Sequence, residues 1–158
     1  MTHHSSPLEA RTDKARTDKA KGEEPVDPNV RGARWTPRLL SVLRIATAFL
    51  FIEHGAMLLF DFLAPPGQPG PALLSQIWIG GVLEFFGGAL LLFGLFTRPA
   101  AFILSGTMAV AYFQMHAADG FWPLQNKGEL SALYCFVFLF LSVAGGGEWS
   151  VDRLVRRR

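Results

Sequence analysis

The sequence predicts an all-α fold, an integral membrane four-helix bundle with a disordered N-terminal tail. Half of its 158 residues are hydrophobic, 14 of them Phe, and the mean hydropathy is +0.26. Those apolar residues are gathered into four long runs rather than spread evenly. Charge is partitioned just as sharply: residues 1–38 hold eight bases and six acids, whereas residues 39–152 hold only Arg44, Arg98 and Lys127 as bases. Long apolar runs beside a polar tail are the composition of a membrane domain. A soluble bundle is excluded because too little polar surface remains to cover four such helices.

Residues 1–38 read as a disordered cytoplasmic tail. Arg11-Thr12-Asp13-Lys14-Ala15 recurs as Arg16-Thr17-Asp18-Lys19-Ala20, and Pro25 and Pro28 follow. Mixed charge without an apolar period leaves nothing to bury. No apolar stretch near Met1 gives the pattern of a signal peptide.

Four spans follow, at residues 39–62, 73–96, 99–118 and 129–145. At about 1.5 Å per residue each approaches a hydrocarbon core of about 30 Å, the fourth being the shortest. The connections hold the helix breakers. Pro65, Pro66, Gly67, Pro69, Gly70 and Pro71 separate the first two spans, and Thr97-Arg98-Pro99 makes a tight turn into the third. Gly120, Pro123 and Gly128 precede the fourth, and Gly145-Gly146-Gly147 ends it.

Arginine placement sets the expected orientation. Arg31, Arg34, Arg38, Arg98, Arg153, Arg156, Arg157 and Arg158 all fall on one side of a four-span chain. The positive-inside rule makes that side cytoplasmic, with both termini, including the basic segment 153–158. The pI of about 9.0 then reflects topology, not an affinity for nucleic acid. Cys135 is the single cysteine, so an internal disulfide and a CxxC pair are excluded. Its apolar setting suits a small buried side chain better than a nucleophile.

Polar residues inside the spans are the candidate functional groups: Arg44, Glu53, His54, Glu84, His116 and Glu129. A carboxylate near the midplane costs roughly 2.5–3.5 kcal/mol, so Glu84 is expected to face the bundle interior. Gly80 and Gly88, four residues either side, would let a neighbouring helix approach it. Glu53 and His54 lie on an antiparallel neighbour at similar depth but point about 100° apart. Either a His54–Glu84 or a Glu53–Glu84 contact is geometrically reasonable: the first would relay a proton, the second would share one. Arg44 is either part of this interior or a side chain snorkelling to the nearer surface. Arg98, Ser105, Ala109, Tyr112 and His116 fall along one polar or small stripe of the third span. His116 would meet Glu129 beneath Phe121, Trp122 and Pro123; Glu129 also reads simply as a favourable acid at a helix start.

An apolar cleft with a few hydrogen-bonding groups and a proton route suits a quinone better than haem, for which His54 and His116 would be the axial pair. Packing alone also accounts for these polar groups, and so does a small-solute or proton carrier.

The residues then resemble a known family. Arg44-Ile45-Ala46-Thr47-Ala48-Phe49-Leu50-Phe51-Ile52-Glu53-His54-Gly55 is similar to the opening of a DoxX-type protein, and residues 81–98, running from Gly81-Val82-Leu83-Glu84 to Thr97-Arg98, match its second helix. His116 with Gly120-Phe121-Trp122-Pro123 and Gly128-Glu129-Leu130 forms a third block. Gly145-Gly146-Gly147-Glu148-Trp149-Ser150-Val151-Asp152 forms the last. The resemblance covers about residues 39–152 and implies a four-helix inner-membrane protein. Some relatives are linked to a thiosulfate:quinone oxidoreductase and others to oxidative-stress complexes, so it implies a soluble oxidoreductase or other subunit as partner. Members often carry a Lys soon after the first His-Gly, where this chain has Ala56-Met57-Leu58-Leu59. That departure puts in doubt any role in binding an anionic substrate there.

Overall fold

The computed structural model describes residues 28–67 and 69–156. Two compact units are distinguished, Met1–Trp35 and Thr36–Arg158. Among the described residues of the first, 28–35 begin a helix. The rest of the fold belongs to the second, and no β-strand occurs among the described residues.

Four main helices follow the four apolar runs: α1 (Pro28–Phe60), α2 (Gln76–Phe93), α3 (Thr97–Ala111) and α4 (Glu129–Ala144). A short α5 (Val151–Arg156) follows α4. Residues 28–38, expected to belong to the disordered tail, are instead helical. Pro28 is compatible with a first helical turn, because proline's missing N–H has no partner there in any case. The tail reading for residues 1–27 lies outside the described residues. The expected basic terminus, 153–158, is likewise helical as far as Arg156.

Trp35–Phe60 and Gln76–Phe93 are long and apolar enough to cross a membrane, while α4 is a shorter apolar helix of 16 residues. α3 is lengthened past Ala111 by a π-turn, Tyr112–His116, and a 3-10 turn, Ala117–Asp119. Ser75 caps the start of α2 by accepting from the Trp78 amide at 3.2 Å. Gly94 ends that helix in the left-handed conformation, φ 68°, with its N–H returned to the last turn.

The helices pack in a ring. α1 meets α2 where glycine removes the side-chain barrier: a Cβ on Gly55 would stand 2.5 Å from the Phe85 backbone nitrogen. On α2 the buried positions Gly81, Glu84, Gly88 and Leu91 recur at three- and four-residue steps, one helical face turned inward. Gly87 makes the neighbouring contact with Leu104 of α3. Ser105 Oγ of α3 donates to the Cys135 carbonyl of α4 at 2.9 Å. Phe51 closes the ring from α1 to α4, with centroids 4.8 Å from Phe138 and 5.2 Å from Tyr134. Ala48, Leu91, Ala101, Leu104 and Leu141 fill the centre. Outward, Phe49, Phe86, Phe102, Ile103, Phe136 and Phe140 are exposed across all four helices. An apolar girdle of that extent is uncovered only in a protein whose solvent is lipid.

Candidate functional site: the His54–Glu84 pair and the Arg44 clamp

Glu84 lies on the inward face of α2 with its side chain 6 % exposed, and its Oε2 is 2.7 Å from Nδ1 of His54 on α1. The two glycine contacts at Gly55 and Gly81 bring these helices close enough for that reach. His54 itself is 53 % exposed, so the pair runs from the packed interior to the bundle surface. Gly80, expected to flank the site, faces open space, and Gly81 takes its place against Leu58. The one-residue difference rotates the packing face by about 100°. Glu53 is half-buried and makes no hydrogen bond or ion pair with Glu84. Of the two contacts the sequence allowed, the backbone of α1 selects histidine.

Arg44 is fully buried and does not snorkel. Its Nε donates to the Gly146 carbonyl at 2.9 Å, and Nη2 donates to that of Trp149 at 2.6 Å. Nη1 reaches the carbonyl of Leu92 at 2.7 Å and that of Leu91. Leu91 and Leu92 belong to the last turn of α2, whose carbonyls have no partner within the helix. The guanidinium therefore satisfies a helix end, sits at the negative pole of its dipole, and ties the glycine-rich segment beneath it. A Cβ on Gly94 would lie 3.0 Å from the Arg44 Cζ, which is why the cap beside it has no side chain.

Asp152 performs the complementary task at the start of α3. Its Oδ1 accepts from the Phe96 amide at 2.9 Å and its Oδ2 from the Thr97 amide at 2.8 Å. Burial acts to raise its carboxyl, but bonding from Thr97 and Phe96 and the charge of Arg156 outweigh it and hold it below the usual aspartate range. Ser41 adds a third tie, accepting from the Trp149 amide while donating to the Pro37 carbonyl, both at 3.0 Å. Arg38 pairs with Glu148 at 3.1 Å on the exposed side.

At the opposite end, His116 Nδ1 is 3.1 Å from the carbonyl oxygen of Asn126 and does not meet Glu129. Glu129 is exposed in the first turn of α4, so it leaves the proposed polar interior and keeps only the helix-start role. The buried polar group here is Asn126. Its Nδ2 donates to the Gly120 carbonyl at 2.7 Å and to Tyr112 Oη at 3.3 Å, while its Oδ1 accepts from the Gly128 amide at 2.8 Å. Tyr112 in turn donates to the Phe121 carbonyl. Asn126 was not singled out in the sequence, where an amide between Gln125 and Lys127 looks like any solvated loop residue. The signal that could have marked it is Lys127 and Gly128 directly after it, a turn setting in which Asn bonds its own backbone two residues on.

The family model described as DoxX matches residues 39–117. The chain belongs to the DoxX family. An uncharacterized protein of Haemophilus influenzae is 41% identical over 123 residues, which span 75% of this chain and 92% of the relative. The inner membrane proteins YphA and YqjF of Escherichia coli are 33% and 34% identical, each across 74% of this chain and 90% and 92% of their own lengths. No solved structure matches. This DoxX-family chain is thus a membrane protein, and its bacterial relatives include inner membrane proteins. Its family match covers both His54 and Glu84 as well as Arg44.

Proposed function

We propose that this DoxX-family protein is a multi-pass component of a quinone-linked redox complex in the bacterial inner membrane, and that the His54–Glu84 pair is where a quinone head group docks. The carrying observation is the 2.7 Å pair with Glu84 buried and His54 half exposed at an apolar surface. In the imidazolium form, with Nδ1–H donated to the Glu84 carboxylate, Nε2–H is left to donate to a quinone carbonyl, and Glu84 fixes the position of the ring. A bound quinone supplies the electron-accepting chemistry. The chain's own residues hold a proton and present it at Nε2.

In this reading all four main helices cross the bilayer. The arginine-bearing end, with both termini, faces the cytoplasm, as the positive-inside rule requires. A soluble oxidoreductase is the expected source of electrons. The second reading is a non-catalytic scaffold that recruits soluble partners. It is favoured by the Arg44 and Asp152 clamps, which spend the remaining buried polar groups on holding segments together.

The test is quinone content. Protein purified from membranes in mild detergent is expected to carry extractable quinone, and His54→Ala and Glu84→Gln are expected to lose most of it while unfolding near the parent temperature. Absence of quinone from the parent protein, with unchanged quinone reduction in membranes lacking the chain, would overturn the redox reading and leave the scaffold.

A further inference from the structure

The arginine-bearing end of the bundle forms an open cavity of about 430 Å³ whose wall includes Arg98, Arg153 and Arg156, the glycine run 145–147, and Leu40. We infer that this cavity binds the phosphate of an anionic membrane lipid. The inference is independent of the quinone reading, because it concerns different residues at the end of the bundle bearing the Arg44 clamp.

Three observations carry it. First, three guanidinium groups converge without neutralisation: among the described residues the side chains of Arg98, Arg153 and Arg156 make no hydrogen bond or ion pair. The one carboxylate in the wall, Asp152, has each oxygen committed to an amide at the start of α3. Arg156 and Asp152 attract through space but form no ion pair. Second, the glycine run makes the room. A Cβ on Gly145 would come into van der Waals contact with Arg98 Nε at 3.5 Å, so a longer side chain there would compete with Arg98 for the cavity wall. Third, this end also exposes apolar side chains. On α5, Leu154 and Val155 follow Arg153 in sequence and are 64 % and 65 % exposed, and Phe96 and Trp149 are exposed at the same end. A free inorganic anion needs only the guanidiniums. Exposed leucine, valine and aromatic side chains at the same end suit acyl chains and an interfacial position. Planar, forked guanidinium donors match phosphate oxygens in pairs.

The experiment uses the full chain in an uncharged detergent, titrated with phosphatidylglycerol, with phosphatidylcholine of the same acyl chains, and with sodium phosphate. Binding is read by native mass spectrometry and by thermal unfolding. Phosphatidylglycerol is expected to bind about tenfold or more tighter than phosphatidylcholine, given the contribution of each surface arginine to anionic-lipid attraction. Replacing Arg98, Arg153 and Arg156 together with Gln is expected to abolish that preference. Arg38→Gln, at the same end but bonded to Glu148 and outside the cavity wall, is expected to keep it. If the triple variant fails to fold, Arg98→Gln and Arg156→Gln singly, both at exposed side chains, are each expected to weaken it several-fold. Equal binding of the two lipids, or a preference that survives these substitutions, overturns the inference. Stabilisation by sodium phosphate equal to that by phosphatidylglycerol overturns the lipid assignment.

Discussion

Arg44 and Glu84 are the two buried charged side chains among the described residues, and the bundle meets their cost in opposite ways. Arg44 donates to four backbone carbonyls drawn from the end of α2 and the glycine-rich segment. Four of its five N–H donors are committed to those carbonyls, and its partners cannot titrate. Glu84 has one side-chain partner, and that partner is a histidine half open to the surroundings. A saturated charge is a fastener; a charge left with a single titratable neighbour is available for chemistry. Burial alone does not separate the two. The count and kind of partners do.

The largest expected effect follows from the saturated end. Arg44→Ala strands the carbonyls of Leu92, Gly146 and Trp149 and opens a cavity where the guanidinium sat, costing at least about 3 kcal/mol. Arg44→Lys keeps the charge but not the fork, so it is expected to recover only part of that loss. Thermal unfolding in detergent, followed by circular dichroism, measures both. A stable Arg44→Ala bundle would break the comparison, because Arg44 would then be no fastener.

A smaller effect is expected where α1 and α2 touch. Gly55→Ala places a methyl 2.5 Å from the Phe85 backbone nitrogen, so the helices must separate. Overpacking of this kind costs about 1–3 kcal/mol. Because His54 directly precedes Gly55, the separation is also expected to lengthen the His54–Glu84 contact. Quinone content, if the pair is the docking site, should then fall further than stability does. Equal falls would mean that the pair is only another packing contact.

How much of this was legible in the sequence follows from which partners have a sequence signature. The four helices were legible because apolar runs and proline-glycine breaks report directly on chain segments. That Glu84 meets an ionisable group of α1 was legible because they lie at similar depth on adjacent antiparallel helices, but the choice between Glu53 and His54 was not, since it depends on the rotation of α1. Arg44 was not resolved between snorkelling and burial, because its partners are carbonyls of Leu91, Leu92, Gly146 and Trp149, which any residue supplies. Asn126 was missed for the same reason, since two of its bonds go to backbone groups of Gly120 and Gly128. Gly81 was confused with Gly80 because only the rotation of α2 distinguishes adjacent glycines. The early start of α1 at Pro28 escaped because residues 28–38 offer no apolar period to report it.

The smallest effect probes the clamp at the start of α3 and separates charge from hydrogen bonding there. Asp152→Asn keeps one acceptor oxygen but loses the second and the charge, costing about 0.5–1 kcal/mol by the scale of helix-start caps. The sign of the pH dependence is fixed by the depressed carboxyl of Asp152. A group whose folded pKa lies below its unfolded one contributes its stability above the unfolded value and loses it as pH falls through the folded value. The gap between parent and Asp152→Asn is therefore expected to be constant from about pH 8 to pH 5, and to close below about pH 4, where the aspartate protonates. Arg44→Lys, measured across the same range, should show a gap with no such closure, since neither a guanidinium nor a carbonyl titrates there. A gap for Asp152→Asn that persists at pH 3 would mean that its geometry, not its charge, holds the turn. The two fasteners of this end would then be alike, and the only pH-sensitive group left in the contrast would be the histidine–glutamate pair.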